Sequence, residues 1–234
     1  MTRPVCVVVG VGPGNGAAMA RRFAEEGYAV ALVARTTGVS EMLASELGGC
    51  ARAYQADASD PSALAQVFRS IQRDLGDVDV LVYNAGSGVW GTVEEIAPDA
   101  FEAAWRVNAL GALVASQHVI PAMRQKGQGT IVLIGATASR RGGPKSCAFS
   151  SAKGAQRVLA ESMARHLWPA GIHVSLVVID GVVDLPGTRA RMPDKSDAFF
   201  VRPVDVAATV HHIVRQPRST WSFEVEARPF GESW

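Results

Sequence analysis

The chain has 234 residues, of which 48% are hydrophobic, and its 23 Lys and Arg against 22 Asp and Glu give a net charge of +1. This balance, without any run of basic residues, gives no electrostatic support for binding a nucleic acid or a membrane surface. The length and the apolar content allow one compact domain, or at most two small ones.

Three cysteines, Cys6, Cys50 and Cys147, are scattered and show no spacing typical of a metal site. They indicate free thiols in a reducing compartment. The apolar run at 5–10 is too short, and too soon interrupted by Gly and Pro, for a signal peptide or a membrane span. We therefore expect a cytoplasmic protein without a membrane partner.

Short runs of Val, Ile and Leu alternate with longer amphipathic segments along the chain, and many runs are apolar on consecutive positions, as in strands buried on both faces. This alternation predicts an α/β fold with a Rossmann-type, doubly wound parallel sheet and helices on both faces, as a single domain over 1–234. The segment 184–200, rich in Pro, Asp and Arg, is expected to be a mobile flap over the substrate. The predicted strands are at 5–10, 29–34, 51–57, 78–84, 129–135 and 172–180, with a weaker candidate at 222–227.

The first predicted strand is followed at once by a glycine-rich segment, GVGPGNGAA, which opens an amphipathic helix. At such a junction the pyrophosphate of a dinucleotide can lie on the helix N-terminus, and small residues let the backbone turn and approach the phosphates. An ordinary tight turn is the alternative, but the position after the first buried strand favours dinucleotide binding. The candidate contacts are Gly10, Gly12, Pro13, Gly14, Asn15 and Gly16.

The end of the second predicted strand, VALVARTTG, bears on which dinucleotide binds. In NAD-binding proteins of this fold, an acidic residue about 20 residues further on holds the ribose 2′-hydroxyl group. Residues 27–40 contain no Asp or Glu, and Arg35 follows the strand. A guanidinium group can bind a 2′-phosphate through charge and paired hydrogen bonds. Arg35 is alternatively a solvated residue at a strand end, but the pattern favours NADP(H) over NAD(H).

Five motifs, in order over nearly the whole chain, resemble those of the short-chain dehydrogenase/reductase family. The spacing Gly10-x-x-x-Gly14-x-Gly16 matches the family's glycine signature, with Val9 where the family usually has Thr. The other motifs are Asp57-Ala58, Tyr83-Asn84-Ala85-Gly86 with Tyr83 in place of the family's first Asn, Val107-Asn108 within a predicted helix at 101–123, and Lys153.

The resemblance implies roles for these residues. Lys153 would bond the ribose hydroxyl groups of the nicotinamide half, and Asn108 would hold a helix kink and a water, or have only that structural role at the kink. These two are the candidate catalytic residues. The resemblance also implies a homodimer or homotetramer in which the helices with Asn108 and Lys153 pair between subunits. Residues implied to border the coenzyme are Asp57, Ala58, Asn84, Ala85, Gly86 and Val107.

Two residues on which the family's chemistry depends are different in this chain. In the family, a tyrosine four residues before the lysine donates the proton, and a serine thirteen residues earlier polarises the substrate oxygen. Here these positions are Phe149 and Ala136. The enoyl-reductase branch places its tyrosine seven residues before the lysine, at Ser146 in this chain. The resemblance therefore implies an atypical active site.

Other groups near the vacated positions are candidate proton donors, although each is alternatively an ordinary loop residue: Thr137, Ser139, Ser150 and Cys147. Lys153 itself could be the acid if burial lowers its pKa. Tyr83 is expected to pack as a strand residue. Asp180-Gly181 stands where the family usually has Pro-Gly, which leaves the course of the substrate loop open. The five histidines show no ligand spacing, so we expect no metal site.

Three hypotheses follow. The chain is an NADP(H)-dependent oxidoreductase on a small carbonyl, alcohol or enone substrate, with an unusual proton relay. Alternatively, it binds NADP(H) without redox activity, as a partner subunit or sensor. The third hypothesis is a non-redox catalyst on the same scaffold. The retained coenzyme residues favour the first.

Overall fold

A parallel sheet forms the centre of the structure, a computed structural model that describes residues 3–232. Within these residues its strands are β1 (Val5–Val9), β2 (Ala29–Ala34), β3 (Ala51–Gln55), β4 (Val78–Tyr83), β5 (Gly129–Ala136), β6 (Ile172–Ile179) and β9 (Glu224–Ala227). Their order is β3-β2-β1-β4-β5-β6-β9, and every neighbouring pair is parallel. The predicted doubly wound sheet is confirmed. The weaker candidate strand at 222–227 is also present, as β9.

The strands are continuous apolar runs because helices cover both faces of the sheet. In β1, every residue is buried, and successive side chains enter opposite layers. Val5, Val7 and Val9 belong to one apolar core. Cys6 and Val8 belong to the core on the other face. Such a strand has no polar side, which is why it reads as VCVVV.

Within the described residues, three helices pack on each face of the sheet. On the side of Val7 lie α3 (Pro61–Leu75), α5 (Gly111–Lys126) and α6 (Cys147–Leu167). On the side of Cys6 lie α1 (Asn15–Glu25), α2 (Gly38–Leu47) and α8 (Pro203–Val214). No helix within residues 3–232 is long and apolar enough to cross a membrane.

The predicted helix at 101–123 is divided in the structure. It begins as α4 (Pro98–Trp105), continues as a π-helical turn at 106–110, and then becomes α5. The amide of Gly111 donates to the carbonyl of Arg106, five residues back, which is the hydrogen bond that defines a π-helix. Such turns are frequent at functional sites, and this one contains Asn108.

The segment predicted as a flap contains regular structure. It has a short helix, α7 (Pro186–Arg191), between β7 (Val182–Val183) and β8 (Phe200–Val201), which pair with each other. The Arg189 guanidinium bonds Asp184 at 2.7 Å and also lies 4.1 Å from the centre of the Phe200 ring. The sequence did not indicate this helix because ion-pair and cation–ring contacts of Arg189, rather than a periodic apolar pattern, hold the segment in shape.

Candidate functional site

A cleft opens at the carboxyl edge of the sheet, where the chain leaves β1 in one direction and β4 in the other. In doubly wound sheets this is where ligands bind. The cavity has a volume of about 480 Å³. Of the residues predicted from sequence, its lining contains Gly10, Gly12, Arg35, Asp57, Ala58, Asn84, Ala85, Gly86 and Val107. Pro13, Gly14, Asn15 and Gly16 continue the loop into α1.

The glycine loop is shaped by close backbone contacts. Gly10 has a φ of +95°, and a Cβ on it would lie 2.4 Å from the amide nitrogen of Ala85. A Cβ on Gly16 would lie 2.5 Å from the carbonyl oxygen of Gly10. At Gly12, by contrast, no atom lies within 4 Å of a Cβ position, so the backbone there faces open space. This combination leaves room for phosphates beside main-chain amides at the start of α1.

Asn84 joins the ends of the two central strands. Its backbone amide donates to the carbonyl of Val9 at 2.8 Å, and its side-chain Nδ2 donates to the carbonyl of Gly10 at 2.7 Å. The carboxamide therefore satisfies a loop carbonyl that the turn leaves without a strand partner. The result is a fixed wall between the glycine loop and Gly86.

At the far side of the cleft, Asp57 and Arg35 provide opposite charges. The Asp57 carboxylate accepts hydrogen bonds from the amide and hydroxyl groups of Ser59, at 2.8 and 2.7 Å. These bonds, with a smaller contribution from the Arg35 charge, lower the pKa of Asp57, so it is ionised at neutral pH. Arg35 is exposed at the end of β2.

Lys153 is buried at the other end of the cleft. Its Nζ donates to the carbonyl of Ile134 at 2.8 Å and to Oε1 of Gln156 at 3.0 Å. Burial lowers the pKa of Lys153 to about 7. A Cβ on Gly86 would lie 3.7 Å from this Nζ, so the amine stands directly behind the cleft wall.

Asn108 lies beside Lys153. Its Nδ2 donates to the carbonyls of Ala104 at 2.8 Å and Ser87 at 3.2 Å. Its Oδ1 is buried and has no hydrogen-bond partner among the described residues. This oxygen would lie 3.3 Å from a Cβ on Gly86. An orphaned carbonyl oxygen and an amine therefore border the same glycine, an arrangement suited to a ligand hydroxyl group or a water.

Phe149 and Ala136 carry no hydrogen-bond donor in their side chains. Phe149 precedes Lys153 by one turn of α6, and its ring lies 5.2 Å from that of Trp90, tilted by 42°. Ala136 is the last residue of β5. This side of the site is apolar and partly covered by Trp90.

The other candidate donors already have partners. The Ser139 hydroxyl group donates to the carbonyl of Ala136 at 2.7 Å. Ser150 and Ser146 share a hydrogen bond of 2.8 Å. The Cys147 thiol is 3.7 Å from the carbonyl of Gly91. Among these groups and Lys153, only the lysine is buried beside Gly86, and burial lowers its pKa to about 7.

Thr137 belongs to a network that sequence reasoning missed. Its hydroxyl group donates to Asp180, and the same carboxylate accepts a hydrogen bond from Arg228. Burial raises the pKa of Asp180, but the bonds from Thr137 and Arg228 outweigh it and the net pKa is lowered. Asp180 therefore stays ionised and is not an acid at neutral pH. Only the departure from the family's Pro-Gly at this position marked it in the sequence.

Tyr83 is fully buried at the end of β4, as predicted for a strand residue. Its hydroxyl group also donates to the carbonyl of Val107, in the π-helical turn, which the sequence did not indicate. On α8, His211 is buried whereas His212 is exposed. In the part of the chain that the structure describes, no three His, Cys, Asp or Glu side chains come together as metal ligands.

Comparison with known proteins agrees with this geometry. The sequence profile of the family described as short chain dehydrogenase matches residues 4–196. A Xanthobacter autotrophicus protein named inactive 2-(S)-hydroxypropyl-CoM dehydrogenase 2 is 33% identical over 159 residues, 68% of this chain and 69% of that protein. A short-chain dehydrogenase structure from Rhodopseudomonas palustris superposes with a TM-score of 0.84 at 31% identity, covering 97% and 99% of the two chains. A metagenomic short-chain oxidoreductase crystallised with NADP gives 0.86 at 28% identity, covering 99% of each.

The buried amine predicts a pH-dependent difference in stability between the wild type and Lys153→Met. Between about 7 and its ordinary value of about 10.5, Lys153 is protonated in the unfolded chain but neutral in the folded protein. The unfolded state then binds more protons, so stability rises with pH in this window. In denaturant unfolding, the free energy of unfolding of the wild type should increase relative to that of the variant by at most about 1.4 kcal/mol per pH unit. A difference that is constant from pH 7.5 to 10 would contradict the lowered pKa.

Proposed function

Because this chain belongs to the short-chain dehydrogenase/reductase family, we propose that it is an oxidoreductase that binds NADP(H) and acts on a small carbonyl, alcohol or enone substrate. We assign proton transfer to Lys153. The observation that carries the proposal is the position of the buried Lys153 amine behind Gly86, which lines the same cleft as the glycine loop.

The residues fit a dinucleotide along the carboxyl edge. The open backbone at Gly12 and the start of α1 suit the pyrophosphate. Asn15, in the same loop, has a buried Oδ1 without a partner among the described residues. The orphaned Oδ1 of Asn108 and the amine of Lys153 suit ribose hydroxyl groups at the other end. The adenine end would lie by Asp57 and Ala58.

Arg35 supports NADP(H) over NAD(H). Its exposed guanidinium group lines the cleft, and it can reach a phosphate there without breaking an ion pair within residues 3–232. Asp57 is held by Ser59, so it does not take the place of the missing acidic residue after β2. That the metagenomic relative was crystallised with NADP agrees with this preference.

The chain's residues can move a proton without a phenol. When bound, the coenzyme supplies or accepts a hydride. The Lys153 ammonium group has three hydrogens, of which two are donated to Ile134 and Gln156, so one remains for a substrate oxygen or a bridging water. With a pKa of about 7, this amine exists in both protonation states at neutral pH, as a general acid and base requires. Phe149 and Trp90 contribute only apolar rings to this end of the site.

Coenzyme preference tests the role of Arg35. In Arg35→Ala, the Kd for NADP(H) should rise about 10- to 100-fold, the effect of losing hydrogen bonds to a charged group, while the Kd for NAD(H) changes little. Calorimetric titration with both coenzymes measures this. Arg69→Ala, an exposed arginine on α3 outside the cleft lining, is the matched control. Equal weakening for both coenzymes would argue against a 2′-phosphate contact.

Single-turnover oxidation of bound NADPH across a panel of carbonyls and enones tests the reaction. We expect oxidation with at least one class, at a rate that falls about tenfold per pH unit above 7 as the Lys153 ammonium group is lost. At saturating coenzyme, Lys153→Met should lower the rate about 10²- to 10⁴-fold, the range for a placed general acid. A rate independent of pH between 6 and 9 would exclude Lys153 as the acid.

A second function, coenzyme binding without redox activity, is favoured by one observation. Phe149, at the position that the family gives to its tyrosine, is covered by Trp90, so an aromatic pair occupies the place of the phenol. The relative from Xanthobacter autotrophicus has the word inactive in its name, which agrees with this alternative.

The double substitution Phe149→Tyr with Ala136→Ser separates the two functions. If the wild type binds NADPH but has no turnover, the double variant should gain reductase activity, because both missing donors return. If the wild type already reacts through Lys153, it has activity before the substitutions. We then expect the double variant to differ from the wild type in the shape of its pH–rate profile. The same single-turnover panel measures both. Leu43→Ile, on the buried face of α2, controls for the effect of unrelated buried changes.

A further inference from the structure

We propose that Tyr83 is a positioning residue, whose hydroxyl group holds the π-helical turn at 106–110 in the shape that directs Asn108 toward Lys153. The proposal goes beyond the proposed function, because it concerns the geometry of the cleft in the coenzyme-free protein. Its basis is a chain of contacts from the end of β4 to the wall of the cleft.

The first contact is the hydrogen bond from the Tyr83 hydroxyl group to the carbonyl of Val107. Tyr83 has no exposed surface, and its ring is part of the core beneath α5. Burial also raises its pKa, so the phenol keeps its proton and remains a donor. A buried hydroxyl group with one acceptor has a fixed direction. Its hydrogen bond therefore holds the helix at a fixed position relative to the strand.

The second feature explains why Val107 needs this donor. In a regular α-helix the carbonyl of Val107 would accept from the amide of Gly111, four residues later. Here that amide donates to the carbonyl of Arg106 instead. The π-helical turn thus removes the usual partner of the Val107 carbonyl, and Tyr83 supplies a replacement.

Gly111 allows the phenol to come this close. A Cβ at Gly111 would lie 2.2 Å from the Tyr83 hydroxyl oxygen and 2.2 Å from the carbonyl oxygen of Ala58. No side chain larger than hydrogen fits between β4, the segment after β3 and the helix. The hydrogen bond and the absent Cβ are therefore two parts of one packing arrangement.

The turn determines where Asn108 points. Its Nδ2 bonds Ala104 and Ser87, which leaves Oδ1 facing Gly86 and, behind it, the Lys153 amine. Successive helical residues differ by about 100° around the axis, so removing the extra residue of the π-helical turn would rotate Asn108 away from this position. An amide oxygen near an ammonium group favours the charged form, so loss of Oδ1 should lower the pKa of Lys153.

The experiment compares Tyr83→Phe, which removes only the hydroxyl oxygen, with Tyr54→Phe. Tyr54 is a matched control, because its hydroxyl group also donates a side-chain hydrogen bond, to Asp74 at 3.2 Å, and it lies on β3 outside the cleft lining. The titration midpoint of Lys153 is obtained in each background from the pH dependence of unfolding relative to the same protein with Lys153→Met. The lowered pKa of Lys153 has burial as its cause and no contribution from a charged side chain, so a shift between backgrounds reports on the neutral groups beside the amine.

We expect Tyr83→Phe to lower the Lys153 midpoint by about half a pH unit or more, and Tyr54→Phe to leave it unchanged. Asn108→Ala should give a similar shift. The combination of Tyr83→Phe with Asn108→Ala should shift the midpoint no further than Asn108→Ala alone, because Asn108→Ala already removes the oxygen that Tyr83→Phe displaces. The Kd for NADPH should rise about fivefold in Tyr83→Phe, the effect of one lost hydrogen bond.

Three outcomes would overturn the proposal: an unchanged Lys153 midpoint in Tyr83→Phe, additive shifts in the double variant, or loss of stability equal to that of Tyr54→Phe with no other change. Absence of NADPH binding in the wild type would contradict the proposed function and not the role of Tyr83. The Lys153 titration would still decide the role of Tyr83 in that case, since it requires no coenzyme.

Discussion

The cleft exists because two backbones at the ends of β1 and β4 lie closer than any side chain allows. A Cβ on Gly10 would overlap the amide of Ala85, and the Asn84 side chain then closes on the Gly10 carbonyl. This contact turns the loop away from the sheet, so that Gly12 faces open space and Gly86 forms the opposite wall. The helices that carry Asn108 and Lys153 pack beneath these two strand ends, so these residues take their positions from them.

A buried lysine is costly for a fold and therefore informative. Its ammonium form is disfavoured by burial, and no carboxylate among the described residues compensates for it, as the single cause of its lowered pKa shows. An apolar residue would fill the same space on α6 at lower cost. The protein instead retains an amine with two neutral acceptors, Ile134 and Gln156, beside the orphaned oxygen of Asn108. Such perturbed groups concentrate at functional sites, and this one borders the nucleotide cleft.

The features that could be predicted from the sequence are those that depend on residues close together in the chain. Apolar runs predicted the sheet, because strands covered on both faces need no polar side, and the glycine spacing placed the cleft. The features that were missed depend on residues far apart in the chain. Tyr83 reaches Val107 across 24 positions, and Arg228 reaches Asp180 across 48. No periodicity indicates such contacts. The helix in the predicted flap was missed for another reason: ion pairs of Arg189 with Asp184 and Asp197, five and eight positions away, hold it rather than an apolar pattern.

Phe149 and Lys153 are best understood together. They share one face of α6, a single turn apart, so whatever occupies position 149 is part of the surroundings of the amine. A phenol there would bring a polar group to this face, whereas Phe149 and its neighbour Trp90 bring only rings. Water exclusion is what lowers the pKa of Lys153 into the range useful for proton transfer. In the proposed reaction, burial of Lys153 takes the part that a phenol has in the family, because it brings the pKa of the amine close to neutrality. A protein that only bound the coenzyme would need the hydrogen bonds of Lys153 but would gain nothing from its neutral pKa.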